Sequence, residues 1–160
     1  MRGSAWASTR SPVAWFLWTC LWHDVFALMA PERLRASTIA VSLASLPFVV
    51  PHVVEDFAEG IAPRLGLSTD LLALSLGGFL ALQCLGLVLL GQGRRVGFVI
   101  TAAVGLVWVT GAVVDHGPAL LAGRFRTGPP SVLWVVGLIA THAACTILAV
   151  WGSAQAGRQR

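Results

Sequence analysis

A histidine and three carboxylates stand close together where a long apolar run of the sequence ends. They occur in the segment His52-Val-Val-Glu-Asp-Phe-Ala-Glu59, and residues spaced i, i+3, i+4 and i+7 lie on one face of a helix. Imidazole and carboxylate groups bind metal ions or transfer protons. An ionisable group at the edge of a bilayer is costly to bury and therefore indicates a functional site. The segment predicts where chemistry takes place without naming a substrate.

A second polar pair, Asp115 and His116, also stands at the end of an apolar run. The first and third apolar runs cross a membrane in the same direction, because successive spans alternate. Asp115 and His116 therefore reach the membrane surface at which His52 lies. If the two helices are neighbours, five ionisable side chains converge on one site: His52, Glu55, Asp56, Asp115 and His116.

A metal site is one chemistry that this set supports, because histidine and carboxylate ligands suit zinc or iron. The spacing His-x-x-Glu places two ligands on one helical face, so His52 and Glu55 are candidate metal ligands and His116 is a third. His142 lies part-way along the last apolar run. It could form the floor of the same cavity and act as a further ligand, or hydrogen-bond to a neighbouring helix. The cofactor suggested is a divalent metal such as zinc or iron.

Acid–base chemistry is the alternative, with Glu55, Asp56 and Asp115 as candidate catalytic residues. A carboxylic acid in a low-dielectric pocket keeps its proton more readily, so it could protonate the alkene of a lipid or isoprenoid. Trp108 and Trp134 could line such a pocket and stabilise a carbocation by cation–π attraction. Charged residues just beyond a helix end often lie solvated at the interface, and this structural interpretation competes with both chemistries.

The elements that position these residues follow from the composition. The chain is 56% hydrophobic and only 11% charged, whereas a soluble domain carries about 25% charged residues. A helix needs about 20 residues to cross a hydrocarbon core of roughly 30 Å. Four stretches are long enough and free of Asp, Glu, Lys and Arg, at about residues 36–54, 71–93, 96–114 and 131–152. The sequence therefore predicts an all-α, polytopic transmembrane four-helix bundle.

The basic residues set the expected orientation. All 11 are arginine and are spread over short loops, which argues against nucleic-acid binding. By the positive-inside rule, the arginines within 33–35, 94–95 and 158–160 place both termini in the cytoplasm, in a cytoplasmic (inner) membrane. The loop that follows His52 then lies outside. Arg124 and Arg126 oppose this arrangement, because four spans require their loop to lie outside as well.

The first 30 residues allow three interpretations. Residues 12–30 are apolar and rich in tryptophan but are interrupted by His23 and Asp24. They could form a fifth span, an amphipathic interfacial helix anchored by its tryptophans, or upstream sequence that is not part of the natural protein. In the last case Met29 would be the start. Residues 31–160 form the four-helix transmembrane domain.

Prolines, small residues and cysteines predict the packing of the spans. Pro47 and Pro51 each remove an intrahelical hydrogen bond, so a kink that opens a cavity toward the charged segment is expected. The last span carries small residues at every fourth position, which lets helices approach closely in lipid: Gly137, Thr141, Cys145 and Ala149. The three cysteines are widely separated, so no disulfide or thiolate metal site is expected. Cys84 and Cys145 are predicted to be buried packing residues.

Three short motifs resemble the HXXEE-motif family of small bacterial membrane proteins. They are His52-Val-Val-Glu55-Asp56 at the end of the first span, Asp115-His116, and Arg126-Thr-Gly-Pro-Pro-Ser131 at the start of the last span. The resemblance covers roughly residues 40–150, and Asp56 here replaces the second glutamate of the motif. It implies that His52, Glu55 and Asp56 are the signature residues and leaves their role open. The EXPERA superfamily of membrane-bound sterol isomerases is similar in general pattern but not in spacing.

The function expected from the sequence is that of an enzyme or binding protein for a hydrophobic small molecule, such as a lipid or isoprenoid. Its pocket would lie at the outer face of the membrane. Two other classes stay open. One is a non-catalytic accessory subunit, which packs its small-residue faces against a membrane protein partner or a second copy. The other is a small transporter.

Overall fold

The computed structural model describes residues 31–123 and 128–158 as a bundle of long helices. The helices are α1 (Pro31–Ala44), α2 (Leu46–Ala58), α3 (Ile61–Arg64), α4 (Thr69–Gly91), α5 (Arg95–Ala122) and α6 (Pro129–Arg158). Within the described residues, four segments are long and apolar enough to cross a membrane: Pro31–Ala58, Thr69–Gly91, Arg95–Ala122 and Pro129–Arg158. The predicted all-α, four-helix, multi-pass architecture is confirmed. The interpretations of residues 1–30, and Arg124 and Arg126, lie outside the described residues.

Three of the four membrane segments are longer than the predicted spans, and Thr69–Gly91 has the 23 residues that were predicted. α5 has 28 residues and α6 has 30, which corresponds to lengths of about 42 and 45 Å. A hydrocarbon core is about 30 Å thick, so the helix ends extend into the interfacial layers. The predicted spans stopped at charged residues, whereas a helix continues through them once its backbone hydrogen bonds are made. Asp115 and His116 are therefore part of α5 and not of a loop.

The first membrane segment is interrupted at Ser45, between α1 and α2. Pro47 has no N–H to donate to the carbonyl of Leu43, so the helical ladder breaks just before it. The Ser45 hydroxyl donates to the Ser42 carbonyl at 2.7 Å, and the Ser45 carbonyl accepts from the N–H groups of Phe48 and Val49. The helix is thus interrupted just before Pro47, where a kink or widened turn is expected, whereas α2 continues through Pro51.

The connection between α4 and α5 is a tight helix cap. The N–H of Arg94 donates to the carbonyl of Leu89, and the N–H of Gly93 donates to that of Leu90. This is the Schellman pattern, which requires a left-handed residue, and Gly93 has φ +74°. The short turn makes α4 and α5 antiparallel neighbours. We call this end of the bundle the arginine end, because it carries arginines 33, 35, 94, 95 and 158, and the opposite end the site end.

The last helix, α6, packs against α1, α2 and α5. Its buried positions alternate by four and three residues, the heptad spacing of close helix packing: Ser131, Val135, Leu138, His142, Cys145, Ala149 and Gly152. The predicted small-residue strip shares Cys145 and Ala149 with this seam, and Gly137 packs beneath the ring of Phe48. Cys145 is buried as predicted. Cys84 is exposed, so its predicted burial is wrong.

The bundle is closed toward its middle by a polar contact among three helices. The amide nitrogen of Gln83 on α4 donates to the Ser42 hydroxyl at 3.3 Å, and its amide oxygen accepts from the Trp108 indole N–H at 3.2 Å. Gln83 is 5% exposed. Such hydrogen bonds hold helices together where lipid supplies no hydrophobic driving force. Gln83 therefore ties α4 to α1 and fixes the Trp108 ring.

Toward the site end the same helices separate. α2 packs on α6 and α4 packs on α5, but α2 and α4 are not packed against each other over the described residues. The break at Ser45 marks where the packing of the first segment changes, since α1 packs on α4 and α2 has no comparable packing on it over the described residues. A gap is left between α2 and α4, with α5 behind it.

Candidate functional site

His52 and His116 meet near one edge of the membrane. His116 lies 21 residues after Arg95 on the same helix, a distance of about 31 Å along the axis. With the arginine end at one boundary of the hydrocarbon core, His116 lies at the other. The rings of His52 and His116 contact each other edge to face, with centroids 4.9 Å apart and planes at 72°. The prediction that the first and third spans bring these residues together agrees with this geometry.

Asp56 lies between the two imidazoles. Its Oδ2 is 3.4 Å from Nε2 of His52, and its Oδ1 is 3.8 Å from Nε2 of His116. His52 is 5% exposed, and the side chains of Asp56 and His116 are 17% and 18% exposed. One ligand atom from each of the three residues lies within 4.8 Å of the other two. We call His52, Asp56 and His116 the triad.

Asp115 stands at the edge of the triad. Its Oδ2 is 3.2 Å from Nε2 of His116, and its side chain is 41% exposed. This carboxylate adds negative charge beside two imidazoles and is the most accessible of the four groups. The site therefore comprises two imidazoles and two carboxylates from α2 and α5.

A proline stands next to each histidine of the triad. Pro51 precedes His52 in α2, and Pro118 follows His116 by two residues in α5. A proline inside a helix leaves the carbonyl four residues earlier without its N–H partner. Helices tolerate this in a membrane where neighbouring groups can bond the freed carbonyl. Both helices thus carry weakened hydrogen-bond ladders near the triad side chains.

Glu55 does not join the triad. Its Oε1 accepts a hydrogen bond of 2.7 Å from the Ser131 hydroxyl at the start of α6. In a helix of 100° per residue, Asp56 lies about 40° from His52 around the axis, whereas Glu55 lies about 60° away on the other side. Asp56 therefore faces α5 and Glu55 faces α6. Of the residues predicted as candidate ligands, the structure brings His52 and His116 together with Asp56, whereas Glu55 lies apart from them.

His142 also lies outside the triad. It is 1% exposed, and its Nδ1 is 3.1 Å from the Leu138 carbonyl. Its ring is tilted at 42° against that of Trp108, with centroids 5.6 Å apart. Nε2 has no hydrogen-bond partner among the described residues. His142 is a buried residue behind Trp108, and the structure does not place it with the candidate ligands.

A cavity of about 560 Å³ adjoins the triad. Its ionisable lining consists of four side chains, His52, Asp56, Asp115 and His116. The rest of the lining is apolar, and it comprises Val53, Phe57, Ile61, Leu65, Leu72, Leu76, Phe79, Val107, Trp108, Gly111, Ala112 and Val114. Trp108 is a wall as predicted, whereas Trp134 is not among the lining residues. Pockets of this size and polarity bind drug-sized ligands.

Two imidazoles and one carboxylate are a metal-binding set that leaves coordination positions open. Catalytic zinc commonly has three protein ligands, and two histidines with one carboxylate also hold non-haem iron. Metal–nitrogen bonds of about 2.1 Å place tetrahedral ligand atoms about 3.4 Å apart. The Asp56–imidazole distances of 3.4 and 3.8 Å involve different carboxylate oxygens, and one ligand atom from each residue lies within 4.8 Å of the others, so small side-chain movements would bring the three onto one ion. The open positions would face the apolar cavity.

Sequence reasoning missed two parts of this site. The first is Ser131, which entered the sequence analysis only as the last residue of a motif. Nothing around it in the sequence indicates that it donates to Glu55, which lies 76 positions earlier. The wall residues of α4 were also missed, because leucines and Phe79 look the same in sequence whether they face lipid or a cavity.

Comparison of the chain with protein-family models, with curated proteins and with solved structures finds no match.

Proposed function

We propose that this multi-pass membrane protein binds a divalent transition metal at His52, Asp56 and His116 and uses it on a hydrophobic small molecule held in the adjoining cavity. The observation that supports the proposal most is the convergence of two imidazole nitrogens and a carboxylate, from two helices, at the wall of an apolar cavity.

A structural role explains the arrangement less well. Burying two imidazoles and a carboxylate at the edge of a bilayer costs free energy, which is recovered when the groups bind a ligand or bond one another closely. Nε2 of His116 is 3.2 Å from Asp115, but its 3.8 Å separation from Asp56 is too long for a hydrogen bond, so Asp56 is not bonded directly to both imidazoles. A metal ion would bridge Asp56 to the two imidazoles, and its open positions would supply Lewis-acid chemistry to the bound molecule.

Metal content tests the proposal directly. The protein purified in detergent is expected to contain about one zinc or iron per chain after reconstitution. His52→Ala and His116→Ala are each expected to lose it, because two remaining ligands hold a divalent ion poorly. Elemental analysis of the three proteins, prepared identically, gives the result.

His142→Gln is the matched control, because it removes a histidine that the structure places outside the triad. It is expected to retain the metal. An absence of metal in the wild type after reconstitution with zinc and with iron would overturn the metal proposal and leave acid–base chemistry at Asp56. Loss of metal in His142→Gln to the same extent would show that the site is not the triad.

We further propose that the site end faces the outside of a cytoplasmic membrane and the arginine end faces the cytoplasm, as the positive-inside rule indicates. Thr69 and Gln92 are exposed at opposite ends of α4. In intact cells a membrane-impermeant maleimide is expected to label Thr69→Cys and not Gln92→Cys. Native Cys84 lies between them within the span, so the unsubstituted protein supplies the background. The reverse labelling pattern would invert the orientation.

A further inference from the structure

The cavity beside the triad is open on a side that faces lipid. α2 and α4 flank it without packing on each other over the described residues, and α5 forms its back wall. Val107 and Val114 of this wall are 55% and 72% exposed. These residues belong to a segment long and apolar enough to span a membrane, so a bilayer around the bundle would place acyl chains beside them. Apolar chains therefore have direct access to the cavity.

The polar and apolar parts of the cavity are separated along the helix axes. The triad is at the site end, and Phe79 and Trp108 line the cavity deeper in the membrane. Trp108 lies eight residues before His116 on α5, about 12 Å lower. The indole N–H of Trp108 already donates to Gln83. Among the lining residues, a molecule with one polar end thus finds ionisable partners at the triad and the adjacent Asp115, and the opposite orientation would bury its polar end unpaired.

We infer that the cavity binds one apolar chain of a membrane lipid, which enters between α2 and α4 and places its oxygen-containing head group at the triad. The inference rests on the proposed function, because the head-group oxygen would take an open coordination position of the metal. A cavity of about 560 Å³ suits one drug-sized apolar body. Any second chain of the lipid would stay in the bilayer outside the gap.

Gly111 offers a way to fill the cavity without disturbing the fold. It lines the cavity on α5, and a Cβ atom placed there meets nothing within 4 Å. Leucine at this position therefore projects into the space that the chain would occupy. Gly77 on α4 is the matched control, because a Cβ there also meets nothing within 4 Å and Gly77 is not among the lining residues.

Photo-crosslinking in phosphatidylcholine vesicles tests the inference on the full chain. Two fatty acid probes carry a diazirine, one beside the carboxylate and one about 12 Å along the chain, the depth of Trp108 below His116. The first is expected to label the peptide around His116, and the second the peptides around Phe79 and Trp108. Gly111→Leu is expected to lower both signals at least about fivefold, since the added side chain occupies the cavity. Gly77→Leu is expected to leave them unchanged.

The inference would be overturned if the wild type and Gly111→Leu were labelled equally, or if both probes labelled the same peptides. Either result would mean ordinary lipid contact with the bundle surface. Metal content measured on the same samples separates the two proposals. If the protein contains metal and Gly111→Leu does not change the labelling, the proposed function stands and the lipid inference is overturned. If the protein contains no metal but the labelling depends on depth and Gly111→Leu abolishes it, the lipid chain still binds in the cavity. The proposed metal contact with its head group is then overturned.

Discussion

Asp56→Asn is expected to lower the affinity of the protein for a divalent metal by at least about 100-fold. The amide keeps the size of the side chain but removes the negative charge that lies 3.4 and 3.8 Å from the two imidazoles. Loss of an outer-shell partner alone costs 10–100-fold in metal affinity, so loss of a direct ligand is expected to cost more. Titration of the metal-free protein with zinc, against a competing chelator, measures the ratio of dissociation constants.

Glu55→Gln is the control that distinguishes the ligand set indicated by the structure, with Asp56, from the one predicted by the sequence pattern, with Glu55. It is the same chemical change one position earlier, but Glu55 accepts from Ser131 and faces away from the triad. Its effect on metal affinity is expected to stay below about threefold, in the range of a carboxylate that does not touch the metal. If Glu55→Gln weakened binding more than Asp56→Asn, the ligand set predicted from sequence would be right and the structural one wrong.

This pair of substitutions also concerns the part of the site that the sequence could not predict, namely which of the two carboxylates lies with the histidines. The spacing of His52, Glu55 and Asp56 placed all three near one helical face, and i, i+3 and i+4 are equally acceptable on that criterion. The choice between the two carboxylates depends on which helix lies on which side of α2. That is a tertiary property, since α5 approaches on the Asp56 side and α6 on the Glu55 side.

The four spans could be predicted because each is marked by a long run of apolar residues in the sequence. About 20 apolar residues in a row have few alternatives to a membrane helix. The break at Ser45 could also be predicted, because Pro47 acts locally on the backbone. Each of these inferences needed only residues close together in the chain.

The cavity could not be predicted, because lipid makes the outside of a bundle as apolar as the inside. Leu76 lines the cavity and Leu74 is 74% exposed, yet nothing in their identity distinguishes them. The same ambiguity explains why Cys84 was wrongly expected to be buried. In a soluble protein, polar residues would have marked the outer face of α4.

Gly97→Ala is expected to destabilise the bundle by about 3 kcal/mol or more, which is the upper range for overpacking. A Cβ atom at Gly97 would lie 2.8 Å from the Leu89 carbonyl carbon and 2.9 Å from the Gly86 oxygen, and it would also contact the Leu90 nitrogen. These are backbone atoms of α4, so no side chain can rotate away and the two helices must separate. Denaturant unfolding in detergent, followed by helical circular dichroism, measures the loss.

The matched control is Gly111→Ala, the same substitution in the same helix. A Cβ there meets nothing within 4 Å, and alanine is up to about 1 kcal/mol better than glycine inside a helix. Gly111→Ala is therefore expected to be neutral or stabilising. Equal losses from both substitutions would mean that α4 and α5 do not approach as closely at Gly97 as the structure shows. The proposed metal site should be affected as well, because Gly97 lies 19 residues from His116 on α5 and separating α5 from α4 there shifts the helix that carries His116. We thus expect Gly97→Ala to lower metal content although it changes no ligand, and Gly111→Ala to leave metal content intact.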